Sequence, residues 1–390
     1  MIANGIAAAM EKGSWIRRMF EAGGPLREKY GAENVYDFSL GNPDGQPPET
    51  VLASMERLVR KPDIHKYMPN AGFADARERI AARESANCGM ELTANHVVMA
   101  VGAAGGLNVA LKALLDPGDE VIVLAPYFVE YLSYIRNHGG VPVVCQTDEQ
   151  FFPIAEEVAA AVTPRTKALI LNNPHNPTGV VYSRECLEGL SSALSARCDV
   201  LGREPVCILS DEPYSRLAYD GAEVPPVLSI FPAAMVINSF SKSHALPGAR
   251  IGYIALRPDM PEADALFSAL AYTTRTLGYV NAPGILQQVV AENLDAGVDV
   301  GEYRHRRDLL ADILTGAGFS FSLPKGAFYI FPKCPIPDDV EFCARALRQR
   351  ILVVPGTGFG RPGYFRVAYC VDSGVIMRSA PAWSALMTNM

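Results

Sequence analysis

The chain has 390 residues, 49% of them hydrophobic, and a formal net charge of −7. That length supports a large core and two domains. The acidic balance excludes the basic face of a nucleic-acid binder, and no apolar run is long enough to cross a bilayer, so neither nucleic acid nor membrane is an expected partner. In chain order, residues 14–23 read as an amphipathic helix closed by glycine. Short apolar runs at 97–101, 121–124, 141–144, 168–171, 206–209, 235–238 and 251–255 are strand candidates. Between them, 103–115, 127–138, 154–161 and 184–196 are helix candidates. Strands alternating with helices predict an α/β fold with a mostly parallel sheet covered on both faces. The last third changes character, with a long helix at 284–315, strands at 328–331 and 364–368, and a helix at 338–349. That pattern predicts a smaller α+β domain beyond a boundary near 275–285.

The eight cysteines form no C-x-x-C pair and the six histidines no H-E-x-x-H spacing, so reduced thiols and no metal site are expected. Met1-Ile2-Ala3-Asn4-Gly5 is not a basic segment leading into an apolar one. No secretory signal is read there, and a cytoplasmic location is expected.

Three strand candidates end in polar residues. One runs into Asn176-Pro177-Thr178-Gly179, one into Asp211-Glu212-Pro213-Tyr214, and one into Ser239-Phe240-Ser241-Lys242. In a parallel sheet these ends share one edge, where α/β folds bind ligands. Separately, Asn-Pro-Thr-Gly is an ordinary turn, Asp-Glu-Pro suits a helix cap, and Lys242 is more often a solvated loop charge. Their convergence is the informative part. A desolvated lysine has a nucleophilic amine, and the serines with Arg250 suit a phosphate. An amine for an aldehyde beside donors for a phosphate suggests pyridoxal 5′-phosphate. Val101-Gly102-Ala103-Ala104-Gly105-Gly106 precedes a helix candidate, so the N–H groups of Ala103 and Ala104 can cradle a phosphate; by itself it is equally a plain tight turn. It is not a G-x-G-x-x-G dinucleotide fingerprint.

These motifs, with Arg250-Ile251-Gly252-Tyr253, resemble the class I/II aminotransferases of PLP fold type I in order and spacing over essentially the whole chain. The resemblance implies a large domain, 42–280, with a seven-stranded sheet between helices, and a small domain formed by 1–41 and 281–390. It implies a ping-pong transfer of an amino group from an L-amino acid to a 2-oxo acid, 2-oxoglutarate by analogy. It makes Lys242 the amine that joins the cofactor and later shuttles a proton, Asp211 the partner of the ring nitrogen, and Tyr214 and Asn176 the partners of O3′. Ser239 and Arg250 would hold the phosphate, Phe128 would stack on the ring, and Tyr67 would reach the phosphate of a second subunit in a homodimer with shared active sites. Arg366 would grip the substrate α-carboxylate, with Gly41 and Asn176 beside it. Some bacterial aspartate aminotransferases of this type carry a lysine where this chain has Ala104, so the distal contact must differ. Arg275 would supply a distal cation for a dicarboxylate, or else be a solvated helix-end charge, whereas an apolar lid of Trp15 and Ile16 would favour neutral or aromatic amino acids. A carbon–sulfur β-lyase on the same scaffold would use the same Lys242 and Asp211. A non-catalytic PLP-binding regulator usually adds a DNA-binding domain, for which the chain carries no basic footprint.

Overall fold

The computed structural model describes residues 1–3, 5–7 and 15–388. Its centre is a seven-stranded sheet of β2 (Val97–Ala100), β3 (Glu120–Ala125), β4 (Val141–Gln146), β5 (Thr166–Asn172), β6 (Cys207–Asp211), β7 (Ala234–Ser239) and β8 (Gly252–Leu256). All seven predicted strands are present. The order is β2-β8-β7-β6-β5-β3-β4, and β8 alone runs against its neighbours. The link from β7 to β8 holds only the one-turn helix Phe240–Ser243 and a 3-10 turn at Pro247–Ala249, so it returns the chain antiparallel instead of crossing over.

Side-chain alternation explains how both faces of the sheet are buried. Ile122, Leu124, Leu169 and Leu171 join one core cluster, while Val121, Val123, Ala168 and Ile170 join another on the opposite face. Helices Ala74–Cys88 and Arg184–Leu201 cover the first face through Ile80, Leu187, Leu190 and Leu194. Helix Gly102–Leu114 covers the second through Leu107 and Leu111. Strand numbering reverses direction between β3 and β5, and a crevice opens at their carboxyl ends at such a switch point.

The C-terminal elements build a second core. β9 (Tyr329–Ile330), β11 (Val354–Pro355) and β12 (Phe365–Ala368) form a three-stranded antiparallel sheet, and β1 (Tyr36–Asp37) pairs in parallel with β10 (Ile351–Leu352). Trp383 on the final helix, Ser373–Thr388, is fully buried against Phe38, Phe319 and Phe365.

Three predicted boundaries need correction. The helix expected at 14–23 spans Trp15–Tyr30 and does not stop at Gly23. Gly23 instead allows close approach to β10, since a Cβ there would lie 3.0 Å from Leu352 Cδ2. The predicted helix 284–315 is two helices, Gly284–Glu292 and Val300–Gly316. Asn293 ends the first, bonding Val289 O at 2.8 Å, and Asp299 caps the second, accepting from Gly301 N at 2.8 Å. The helix expected at 127–138 begins only at Tyr131, because the preceding residues form a turn. The side chains of Trp15 and Ile16 lie outside the described residues.

Trp383→Ala removes the largest side chain of the second core. It is expected to cost about 3–5 kcal/mol, read as a lower denaturation midpoint of the cofactor-free protein. An unchanged midpoint would show that the C-terminal helix contributes little to the fold.

Candidate active site

The crevice at the switch point is a cleft of about 250 Å3. Its walls include Gly41, Ala103, Ala104, Phe128, Asn176, Asp211, Tyr214, Ser239, Lys242, Arg250 and Arg366. Every residue expected to act in catalysis, on the cofactor or on the α-carboxylate, Tyr67 excepted, is therefore in one place, whereas Arg275 is not. Each arrives by a local rule. Asp211 ends β6, Ser239 ends β7, and Lys242 sits on the one-turn helix that follows. Asn176 is tied back to β5, its N donating to Asn172 Oδ1 at 2.6 Å. Arg366 belongs to β12 and enters from the opposite side.

Lys242 Nζ donates to Gly41 O at 2.5 Å. Burial pushes the amine down to about 8, and the charges of Arg366 and Arg250 act in the same sense. Asp211 is buried in the cleft wall. Its Oδ2 accepts from Tyr131 Oη at 2.5 Å and its main-chain oxygen accepts from Asn172 Nδ2 at 2.8 Å. Oδ1 is buried with no hydrogen-bond partner. Burial pushes the carboxyl up to about 7, against the pull of the Tyr131 hydrogen bond.

Arg366 is 2% exposed. Its Nη1 donates to Asn176 Oδ1 at 3.2 Å and its Nη2 to Ser39 O at 2.5 Å, while Nε is buried without a partner. The guanidinium lies over the Tyr329 ring, 4.6 Å from its centroid. None of the described carboxylates forms an ion pair with it. The Tyr214 and Tyr329 hydroxyls are 2.8 Å apart, and burial followed by this contact holds the Tyr214 phenol well above its usual range.

No side chain caps the N-terminus of helix Gly102–Leu114, which leaves the first backbone N–H groups, those of Ala103 and Ala104 included, open to the cleft wall. Arg250 adopts a left-handed backbone conformation, φ 51°, and its Nη2 lies 2.8 Å from where a Cβ on Gly102 would be. Glycine at 102 is required for that approach.

Tyr67 is 94% exposed, outside the cleft. Its loop is fixed, with Asn281 Nδ2 donating to Pro69 O at 2.9 Å and Asn70 Nδ2 to Val280 O at 2.8 Å. Arg275 is exposed and stacks on Tyr272, 5.3 Å from the ring centroid. Sequence reasoning did not single out Tyr131 or Tyr134, and it reached Tyr329 only through the family resemblance, in a segment, 324–329, matched to one that faces the site. All three are ordinary core aromatics by pattern, and only the folded geometry brings their hydroxyls to polar partners or the cleft.

A family profile, aminotransferase class I and II, matches residues 33–379. The chain belongs to this family. The aspartate aminotransferase of Thermotoga maritima is 35% identical over 346 residues, covering 87% of this chain and 88% of that protein. The aspartate/prephenate aminotransferase of Thermus thermophilus is 36% identical over 339 residues, covering 86% of each. Among solved structures, an amino transferase from Eubacterium rectale superposes with a TM-score of 0.95 at 36% identity, covering 100% of this chain and 99% of that one. Aspartate aminotransferase from Thermus thermophilus with maleate gives 0.87 at 30% identity, covering 99% of both. This aminotransferase is therefore a pyridoxal-phosphate-dependent enzyme of fold type I.

The residues present fit that cofactor. The unpartnered Oδ1 of Asp211 meets the need of a ring N–H, the uncapped helix N-terminus with Arg250 that of a phosphate, and Lys242 that of an aldehyde.

The lysine's low pKa has a consequence for stability. Between about 8 and 10.5 the unfolded chain holds the Lys242 proton more tightly than the folded one. Stability from this group therefore rises with pH across that window. Cofactor-free wild type is expected to gain stability relative to Lys242→Met over that range in urea melts. A pH-independent difference would show that the amine is not desolvated.

Proposed function

We propose that the enzyme passes an amino group from an L-amino acid to 2-oxoglutarate through the cleft around Lys242, as a homodimer in the cytoplasm. The joint presence in one cleft of Lys242, the open oxygen of Asp211 and the carboxylate-free Arg366 carries the reading. When bound, pyridoxal phosphate supplies an aldehyde for amines and a ring that accepts electron density from the substrate Cα.

The protein's own groups do the rest. Lys242 holds the cofactor between turnovers. Once freed, its amine would accept and return the substrate Cα proton. A pKa of about 8 leaves a working fraction of that amine neutral near neutral pH. Asp211 keeps the ring nitrogen protonated, which strengthens the pull on Cα electrons. Tyr214 and Asn176 hydrogen-bond O3′, and Phe128 stacks on the ring. Ala103 and Ala104 N–H, Ser239 and Arg250 hold the phosphate, joined by Tyr67 of a second copy. Arg366 takes the substrate α-carboxylate with Gly41 and Asn176 beside it. A carboxylate there would satisfy the free Nε.

A dimer is supported by the exposed Tyr67 on a loop held rigid by Asn281 and Asn70. The chain would divide into a large domain, 42–280, and a small one, 1–41 with 281–390, so that Arg366 and Gly41 reach the cleft from the small side. The relatives named aspartate aminotransferase, and the Thermus enzyme solved with the dicarboxylate maleate, favour dicarboxylic substrates. The described cations of the cleft wall, Lys242, Arg250 and Arg366, all have roles already. A distal carboxylate then draws on a cation outside this wall.

Adding L-amino acids singly to the purified enzyme, with no oxo acid, is expected to convert the cofactor's absorption to that of its amine form, and the fastest donor names the substrate. Pyruvate release with an unchanged spectrum would mean a lyase. Lys242→Ala should abolish the conversion. Arg366→Lys should raise KM for both substrates about 10- to 100-fold, since a lysine loses the two-pronged grip. Tyr67→Ala should weaken cofactor binding without unfolding the chain, and a monomeric wild type in sedimentation would remove the reason to expect that.

A further inference from the structure

The two carboxyl oxygens of Asp211 are treated differently. Oδ1 has no partner, whereas Oδ2 accepts from Tyr131 Oη at 2.5 Å. Tyr131 opens the helix Tyr131–Asn137 and is buried. Its N donates to Phe128 O at 3.1 Å, and the two rings pack edge to face at 5.5 Å and 75°. The turn after β3 that sets Phe128 thus also sets Tyr131. Burial and the adjacent carboxylate hold the phenol well above its usual range, so it stays a donor. Tyr134, Tyr214 and Glu212 also face Asp211 electrostatically, but Tyr131 alone among the described residues hydrogen-bonds its carboxyl.

We propose that Tyr131 is the positioning residue of Asp211: it ties down Oδ2, leaves Oδ1 as the single acceptor for the cofactor's ring nitrogen, and keeps the shared proton on that nitrogen. The argument is one of competing bases. A buried carboxylate and a pyridine nitrogen both lose by carrying charge. Without help, the proton settles on the carboxyl and both groups become neutral. A donor fixed on the far oxygen stabilises the anion and returns the proton to the ring. The proposal rests on the assignment of Asp211 to the ring nitrogen.

The test uses holoenzyme loaded with ring-15N pyridoxal phosphate. Tyr131→Phe should move the nitrogen resonance toward that of an unprotonated pyridine. It should lower kcat about 10- to 100-fold, the worth of one hydrogen bond to a buried charge, with a smaller change in KM. Replacing Tyr131 by 3,5-difluorotyrosine keeps the ring and strengthens the donor, so it should shift the resonance the opposite way. It also serves if Tyr131→Phe does not fold. A resonance unmoved by either replacement overturns the proposal. A resonance unmoved by Asp211→Asn would overturn the assignment of Asp211 itself, and the proposal with it.

Discussion

A buried carboxyl, a buried arginine and a half-buried lysine sharing one cleft without pairing is the constraint on which this molecule turns. Asp211 and Arg366 each leave one buried atom unsatisfied, and among the described residues Lys242 meets the Gly41 carbonyl and the Phe328 ring. Removing such groups from water costs several kcal/mol each unless partners replace the lost solvent. The fold tolerates the arrangement because rigid surroundings impose it. Three strand ends, one helix N-terminus and β12 approach from different directions, and two core clusters back the sheet. Asp211 Oδ1 and Arg366 Nε are the groups that the proposed cofactor and substrate would satisfy, so binding and stability would draw on the same residues.

Arg366 shows how the parts cooperate. It is one side chain, yet it bonds a turn after β5 through Asn176 and the segment after β1 through Ser39. Its plane rests on Tyr329, whose hydroxyl meets that of Tyr214 from the loop after β6. Four stretches distant in sequence thereby converge on one guanidinium. A carboxylate arriving at its Nε would be sensed by both sides of the cleft.

Much of this was legible in the sequence. All seven central strands were found, because fully buried parallel strands read as apolar runs ending in polar turns. Those turns brought Asn176, Asp211, Tyr214 and Lys242 to one edge, whereas Gly41, Phe128 and Arg366 came only from the family resemblance; all of them line the cleft. Helix ends were less legible. Gly23 looked like a stop signal but serves close packing against β10, and periodicity carried the 284–315 prediction straight over the break at Asn293. Tyr131 and Tyr134 escaped notice for a different reason. Their importance lies in a hydroxyl, while their spacing is that of core aromatics. Of the adjacent pair Asp211 and Glu212, only the first lines the cleft; Glu212 accepts from Ser210 Oγ at 2.7 Å instead.

Lys242 and one prong of Arg366 are held by main-chain carbonyls, those of Gly41 and Ser39, while the other prong takes the Asn176 side chain. A carbonyl is carried by every amino acid. Side-chain replacement at these two positions would change volume or hydroxyl chemistry but could not delete the acceptor. That part of the site is inherited with the path of the chain and not with residue identity. Replacing Ser39 would keep that carbonyl but lose the buried hydroxyl that donates to Asp37 Oδ1 at 2.6 Å. At Gly41 replacement is blocked for another reason, since a Cβ there would fall 2.0 Å from Tyr329 Oη. Both residues supply the same atom, and each is fixed by a neighbour of its own.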